Sequence, residues 1–233
     1  RLYLGSKIKR VDGSLGKYTT VIAKDGTETE VRHGVVVVAI GGREYTPTEY
    51  LYGQEKRVVT QRELEEIIAN RQSEIKKKAV VMVQCVGSRD DERPYCSRIC
   101  CSIAIKNALK IKEVSPETAV FVLYRDLRAY GFKESHYRTA RDKGVIFLRY
   151  EDDRKPEVSS GDGRLKVKLH DPLLGKDLVI NSDLIVLSTG ILPAEDTKEI
   201  GQHYKISLNQ EGFFLEAHLK LRPVDFATEG VFL

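Results

Sequence analysis

Five short apolar runs interrupt an otherwise polar chain, and they constrain its fold more than any other feature. They are Val35-Val36-Val37-Val38-Ala39-Ile40, Ala79-Val80-Val81-Met82-Val83, Ala119-Val120-Phe121-Val122-Leu123-Tyr124, Val145-Ile146-Phe147-Leu148 and Leu184-Ile185-Val186-Leu187. A strand with one face in water alternates apolar with polar residues. A run without alternation predicts a strand covered on both faces, as in a parallel sheet. Helical patterns separate the runs. Thr60 is a candidate N-cap for a helix over 61–70, with Glu63 placed to close a capping box and Leu64, Ile67 and Ile68 on one face. Residues 97–112 carry a polar stripe of Arg98, Ser102, Lys106 and Lys110 opposite Ile99, Ile103, Ala104, Ala108 and Ile111. A weaker helix over 133–143 stops at Gly144. Strands alternating with helices predict βαβ units and hence an α/β chain with a parallel sheet.

Two stretches break that rhythm. Residues 1–32 read as antiparallel strands with turns at 12–16 and at Asp25-Gly26, and residues 155–181 read as a small meander in which Leu165, Val167 and Leu169 alternate with Lys166, Lys168 and His170. Each is followed by a strand ending in glycine: Ala39-Ile40-Gly41-Gly42 and Ser188-Thr189-Gly190-Ile191-Leu192-Pro193. The shared order predicts two related units. The last forty or so residues read as connections back to a neighbouring unit. A 41% hydrophobic fraction over 233 residues supplies a real core. A net charge of +4 gives no electrostatic footprint for nucleic acid or a membrane face. No run of 18 apolar residues predicts a membrane helix, and Arg1 to Arg10 does not read as a leader, so a cytoplasmic protein is expected. The opening without Met and the ending at Val231-Phe232-Leu233 are read as those of an excised piece.

All four cysteines fall between positions 85 and 101, in the pattern C-x10-C-x3-C-C. Cys85 closes a buried strand, whereas Cys96, Cys100 and Cys101 lie just before or within the first turns of the next helix. Successive helix positions diverge by about 100°, so Cys100 and Cys101 suit one large object better than one small ion. Four thiolates suit an iron–sulfur cluster, whose negative charge Arg89, Arg93, Arg98 and the helix N-terminus would offset. Zinc remains open, although paired C-x2–4-C knuckles are missing. Redox-active thiols and simple buried cysteines also remain open.

The loop between the strand at 79–83 and its helix has a single glycine, Gly87, where a dinucleotide site needs G-x-G-x-x-G. The one G-x-G, Gly161-Asp162-Gly163, lies in a hairpin-like turn. Nicotinamide binding at the cysteine loop is therefore disfavoured. His33, His136, His170, His203 and His218 show no ligand spacing, and the 11 tyrosines are not interleaved with a basic stripe. No catalytic constellation can be singled out.

Val83-Gln84-Cys85-Val86-Gly87-Ser88-Arg89-Asp90 and Arg93-Pro94-Tyr95-Cys96-Ser97-Arg98-Ile99-Cys100-Cys101 resemble the A subunit of heterodisulfide reductase. So do Leu123-Tyr124-Arg125-Asp126, Tyr130-Gly131-Phe132 and Gly144-Val145-Ile146-Phe147-Leu148-Arg149-Tyr150. The A subunit of the quinone-interacting membrane-bound oxidoreductase complex is similar too. The resemblance implies a three-layer, Rossmann-like core of the pyridine nucleotide–disulfide oxidoreductase kind, in which a second domain is inserted into the first. On that pattern residues 1–78 are part of an FAD domain, 79–192 an NAD(P)-binding-like domain carrying the cysteines, and 193–233 a return segment. It implies a [4Fe–4S] cluster on Cys85, Cys96, Cys100 and Cys101. Gly41, Gly42, Thr189, Gly190 and Pro193 would lie toward the flavin or the domain junction, with Ile40 departing from the usual Thr. The family's N-terminal G-x-G-x-x-G and its glycine-rich segment after the final strand are not in this sequence, so FAD is expected in the full-length protein and weakly or not at all in this piece. Ferredoxin-like insertions are not present either. The implied function is electron transfer feeding reduction of a heterodisulfide or related acceptor. The implied partners are sister subunits and a possible second copy, with no nucleic acid and no direct membrane insertion. A zinc-stabilised docking module and a metal-free thiol–disulfide relay are the competing readings.

Overall fold

The computed structural model of the chain describes every residue except Asp162. It divides into two compact units, one made of residues 1–43 and 192–233, the other of residues 44–191. In chain order, β1 (Lys7–Asp12), β2 (Tyr18–Lys24) and β3 (Thr27–His33) form an antiparallel sheet, followed by the short β4 (Val36–Val37) and β5 (Gly42–Glu44). The second unit runs through β6 (Val58–Thr60), α1 (Gln61–Asn70), β7 (Ala79–Val86), α2 (Cys100–Val114), β8 (Ala119–Tyr124), α3 (Glu134–Asp142) and β9 (Val145–Arg149). It then makes the meander β10 (Glu157–Gly161), β11 (Arg164–Asp171) and β12 (Lys176–Ser182), and returns as β13 (Leu184–Thr189). The chain re-enters the first unit through β14 (Ile191–Pro193), then α4 (Thr197–Tyr204) and β15 (Val231–Phe232).

The second unit is a three-layer α/β structure. Its sheet has the order β6-β13-β7-β8-β9, with its paired strands parallel. Residues of β7 alternate between two cores: Val80 and Met82 pack with α1, α2 and α3, while Val81 and Val83 pack against the meander. Strand β13 does the same with Leu184 and Val186 on one face and Ile185 and Leu187 on the other. That double cover is the physical reason for the unbroken apolar runs. Each such side chain contributes about 1.5–3 kcal/mol when fully buried. Helix α1 starts as its sequence predicts. Thr60 Oγ1 accepts from Glu63 N at 3.3 Å, and Glu63 Oε2 accepts from Thr60 N at 2.6 Å.

Several expectations are corrected. The run at 35–40 is not covered on both faces. Only Val36 and Val37 form a strand, paired in parallel with β15, and Val35 and Val37 are exposed while Val38 is buried. A uniform run of valines hides that alternation. The compact units divide at 43/44, because β6 joins the parallel sheet and α1 packs on it through Leu64 and Ile67; the domain limits at 78/79 and 192/193 remain the family-pattern expectation. The first ladder begins at Lys7, leaving Leu2 and Leu4 exposed. Helix α2 begins at Cys100, not at 97. Helix α4 lies in the stretch read as mere connection; its Thr197, Ile200, Gly201 and Tyr204 form a buried stripe. The Gly161-Asp162-Gly163 turn has its centre outside the described residues.

Candidate metal centre

In a parallel sheet every strand delivers its carboxyl end to the same edge, and the loops leaving those ends converge there. Four such ends meet in the second unit. Strand β7 supplies Cys85 and the loop 87–99, β8 leads into Arg125–Arg128, β9 into Tyr150, and β13 into Gly190. Cys100 and Cys101 open α2, whose N-terminus has no side-chain cap among the described residues. The positive end of the helix dipole therefore lies at the cysteines.

Cys85 is presented by a bulge. Val83 pairs with Leu187 and Val86 with Thr189, so three steps along β7 match two along β13. The extra residue falls at Gln84–Cys85, and Cys85 takes the left-handed conformation at φ +62°. For a residue with a Cβ that conformation costs about 1–2 kcal/mol. Bulges of this kind re-aim a side chain out of the ladder. On its other edge β7 pairs with β8 only as far as Val83–Leu123. The next carbonyl, that of Gln84, accepts a hydrogen bond from Tyr150 Oη at 2.7 Å.

The loop after β7 is then pinned at two glycines. Gly87 sits at φ +64°, and a Cβ added there would fall 2.0 Å from Tyr45 Cδ1. Arg93 stacks over the Tyr45 ring at 4.5 Å and donates from Nε to the Gly87 carbonyl at 2.8 Å. At Gly190 an added Cβ would lie 2.6 Å from the Gly87 oxygen, so this position admits no side chain without moving the loop. Gly190 N donates to Val86 O at 2.8 Å, and Ile191 N donates to Ser97 Oγ at 2.8 Å.

The four thiols are unbridged; Cys101 is buried and the others are half-buried. Cys100 Sγ donates to the Thr189 carbonyl at 3.3 Å, and Arg98 N donates to Cys96 Sγ at 3.3 Å. Burial, reinforced by the neighbouring Cys101, Cys85 and Cys96, pushes the Cys100 thiol up to about 12. Burial raises Cys85 and Cys101 as well, and it is opposed at Cys85 by Arg89 and Arg125 and at Cys101 by the backbone and charge of Arg128. A metal-free relay needs a thiol poised as thiolate, and burial works against that here. Among the described residues no three His, Cys, Asp or Glu side chains converge closely enough to hold a single metal ion. The donor set is four thiols linked by their electrostatic effects on one another, with arginine charge beside Cys85 and Cys101 and an N–H group on Cys96. That chemistry fits an anionic iron–sulfur cluster.

No protein-family model matches the chain. Curated proteins do. Over 224 residues it is 39% identical to the A subunit of the H(2):CoB-CoM heterodisulfide,ferredoxin reductase of Methanothermobacter thermautotrophicus, covering 88% of this chain and 34% of that protein. Over 224 residues it is 38% identical to the iron-sulfur A subunit of the CoB–CoM heterodisulfide reductase of Methanocaldococcus jannaschii, again covering 88% of this chain and 34% of that one. Over most of its length the chain is homologous to heterodisulfide reductase A subunits. It spans about a third of the length of these relatives. Among solved structures, thioredoxin reductase of T. acidophilum superposes with a TM-score of 0.54 at 13% identity, covering 98% of this chain and 64% of that chain, which establishes the fold.

The structure brings together Cys85, Cys96, Cys100 and Cys101, with the Thr189 carbonyl accepting from Cys100 and Gly190 lying against Gly87 of the cysteine loop. Thr189 is buried, and its Oγ1 donates to Glu44 Oε1 at 2.7 Å. Gly41, Gly42 and Pro193 belong to the first unit instead. Gly41 lies at φ +66° with open space where a Cβ would be, Gly42 opens β5 and Pro193 closes β14. Of the three expected arginines, Arg93 is turned aside to Asp90, Glu92 and the Gly87 carbonyl, so its charge is spent on the loop. Arg89 stays beside Cys85 and pairs with Asp126 at 2.7 Å. Arg125 and Arg128 serve the site although the cysteine spacing gives no sign of them, and so does Tyr150. Their signal is positional: each follows the carboxyl end of a parallel strand in the sheet that contains β7.

Proposed function

We propose that this chain is the cysteine-bearing part of a flavin and iron–sulfur electron-transfer protein, and that Cys85, Cys96, Cys100 and Cys101 hold a [4Fe–4S] cluster. The observation that carries the proposal is the meeting of all four thiols at the carboxyl edge of the parallel sheet, in the loop where a related reductase fold would place dinucleotide phosphates. A cluster bound there supplies one-electron transfer at a fixed point of the fold. The protein's part is to present the ligands. The bulge aims Cys85, the uncapped start of α2 aims Cys100 and Cys101, and Arg89, Arg125 and Arg128 oppose the negative charge that gathers on the sulfurs.

In the full-length protein FAD would exchange electron pairs for the single electrons that a cluster handles. Gly41, Gly42 and Pro193 keep the flavin-side assignment, while Thr189 and Gly190 are assigned to support of the cysteine loop. The product would be a reduced heterodisulfide or related acceptor, formed in a complex with sister subunits, and a second copy of the same protein is a candidate partner. No helix among the described residues is long and apolar enough to cross a membrane; a cytoplasmic location is part of the proposal.

The test is electron paramagnetic resonance on the full-length protein, purified anaerobically and reduced. One reducible cluster signal per chain, lost in the Cys85→Ser and Cys100→Ser variants, is the expected result. A full-length protein that retains FAD but shows no cluster signal after reconstitution would remove the reading. Zinc in place of iron would turn it into a docking module.

A further inference from the structure

Resting on the cluster reading, we propose that Tyr150 is the positioning residue for Cys85, holding the bulge that turns this cysteine out of β7. The backbone of β7 would otherwise lose its anchor at this point. Pairing with β8 ends at Val83, and pairing with β13 skips from Val83 to Val86. The Gln84 carbonyl is therefore a buried acceptor with no ladder partner, and an unpaired buried acceptor destabilises the conformation that exposes it. Tyr150 Oη closes it at 2.7 Å from a side chain only 3% exposed. The backbone of Tyr150 is fixed because its N donates to Tyr124 O at 2.9 Å, tying the end of β9 to the end of β8, and its ring is buried in the core on that face of the sheet. The side chain of Gln84 is held separately, with Nε2 donating to Ser188 Oγ at 2.8 Å. The backbone carbonyl and the side-chain Nε2 of Gln84 are thus both held, and the left-handed conformation at φ +62° falls on the next residue, Cys85.

Partners that orient a metal ligand from one step away matter roughly 10–100-fold in metal affinity or activity. Tyr150 fills that place for Cys85 through one backbone carbonyl. It touches neither sulfur nor substrate in this account.

The experiment compares Tyr150→Phe with Thr118→Val in the reconstituted full-length protein. Thr118 Oγ1 donates to Ile75 O at 2.7 Å just before β8 begins, so this control also removes a buried hydroxyl hydrogen bond, at the opposite edge of the sheet. Cluster bleaching by an iron chelator and the paramagnetic spectrum of the reduced protein are the readouts. Tyr150→Phe should bleach about tenfold faster or more and show a changed spectrum, whereas Thr118→Val should match the parent in both. Equal bleaching and identical spectra for the two variants would overturn the proposal while leaving the cluster in place. A parent without cluster would instead overturn the functional reading. Should Tyr150→Phe not fold, 3-fluorotyrosine at position 150 keeps the ring and strengthens the donor. It should slow bleaching, and an unchanged rate would again overturn the proposal.

Discussion

Replacing Cys85 by glycine and, separately, by alanine removes the same thiol and differs only in one methyl group. In an ordinary strand or helix the glycine variant is the weaker by roughly 0.5–1 kcal/mol, because its unfolded chain has more freedom to lose. At φ +62° the order should invert. A Cβ in the left-handed region costs about 1–2 kcal/mol, which exceeds the entropic penalty of glycine. Cys85→Gly should therefore be more stable than Cys85→Ala by up to about 1 kcal/mol. The assay is urea denaturation of both variants in the metal-free, reduced form, with thermal melting as a second reading. A difference of that size corresponds to about 2–4 °C in a chain of this length, with unchanged urea dependence. An alanine variant as stable as the glycine variant, or more so, is the contrary result. It would mean that position 85 is in regular strand conformation and that no bulge delivers the cysteine.

Three further outcomes are expected. Gly190→Ala puts a Cβ 2.6 Å from the Gly87 carbonyl oxygen, so it should cost about 1–3 kcal/mol in denaturation and also reduce iron uptake on reconstitution. Thr60→Ala breaks the capping box of α1 and should cost about 1 kcal/mol while leaving iron content unchanged, which separates a general loss of stability from damage to the site. The metal-free protein should lose stability as pH rises from about 9 toward about 12. Burial raises the Cys100 thiol in the folded state, so the unfolded chain gives up its proton first and unfolding gains from each step upward in pH. Chemical denaturation at pH 8, 9 and 10 checks this, and a stability that rises with pH would contradict it.

The legible part of the fold was the part in which local pattern and tertiary cover agree. Val80 to Val83 and Leu184 to Leu187 lie between two cores, so their unbroken apolar runs report directly on the layers around them. Thr60 and Glu63 form a local motif whose geometry needs no distant partner, and it appears as its sequence predicts. Val35 to Val38 misled because a run of one residue type cannot reveal which alternate positions are exposed. Helix α4 escaped because its buried stripe is short and mixes Thr197 and Gly201 with only two large residues, Ile200 and Tyr204. At the site, cysteine spacing located the thiols but could not locate what holds them. Arg128 and Tyr150 follow the carboxyl ends of β8 and β9, which the strand order brings beside β7, and Tyr45 reaches the cysteine loop from yet another segment, after β5. Arg93 shows the converse: its place in the sequence suggested charge compensation, but Asp90, Glu92 and Tyr45 claim it for the loop.

Everything proposed for this site turns on four thiols at one edge of the sheet holding an iron–sulfur cluster. Iron and acid-labile sulfide per chain, measured after anaerobic reconstitution in the parent and in Cys100→Ser, test it most directly. About four of each are expected in the parent, falling sharply in the variant. No iron in the parent, or equal iron and sulfide in Cys100→Ser, would contradict it.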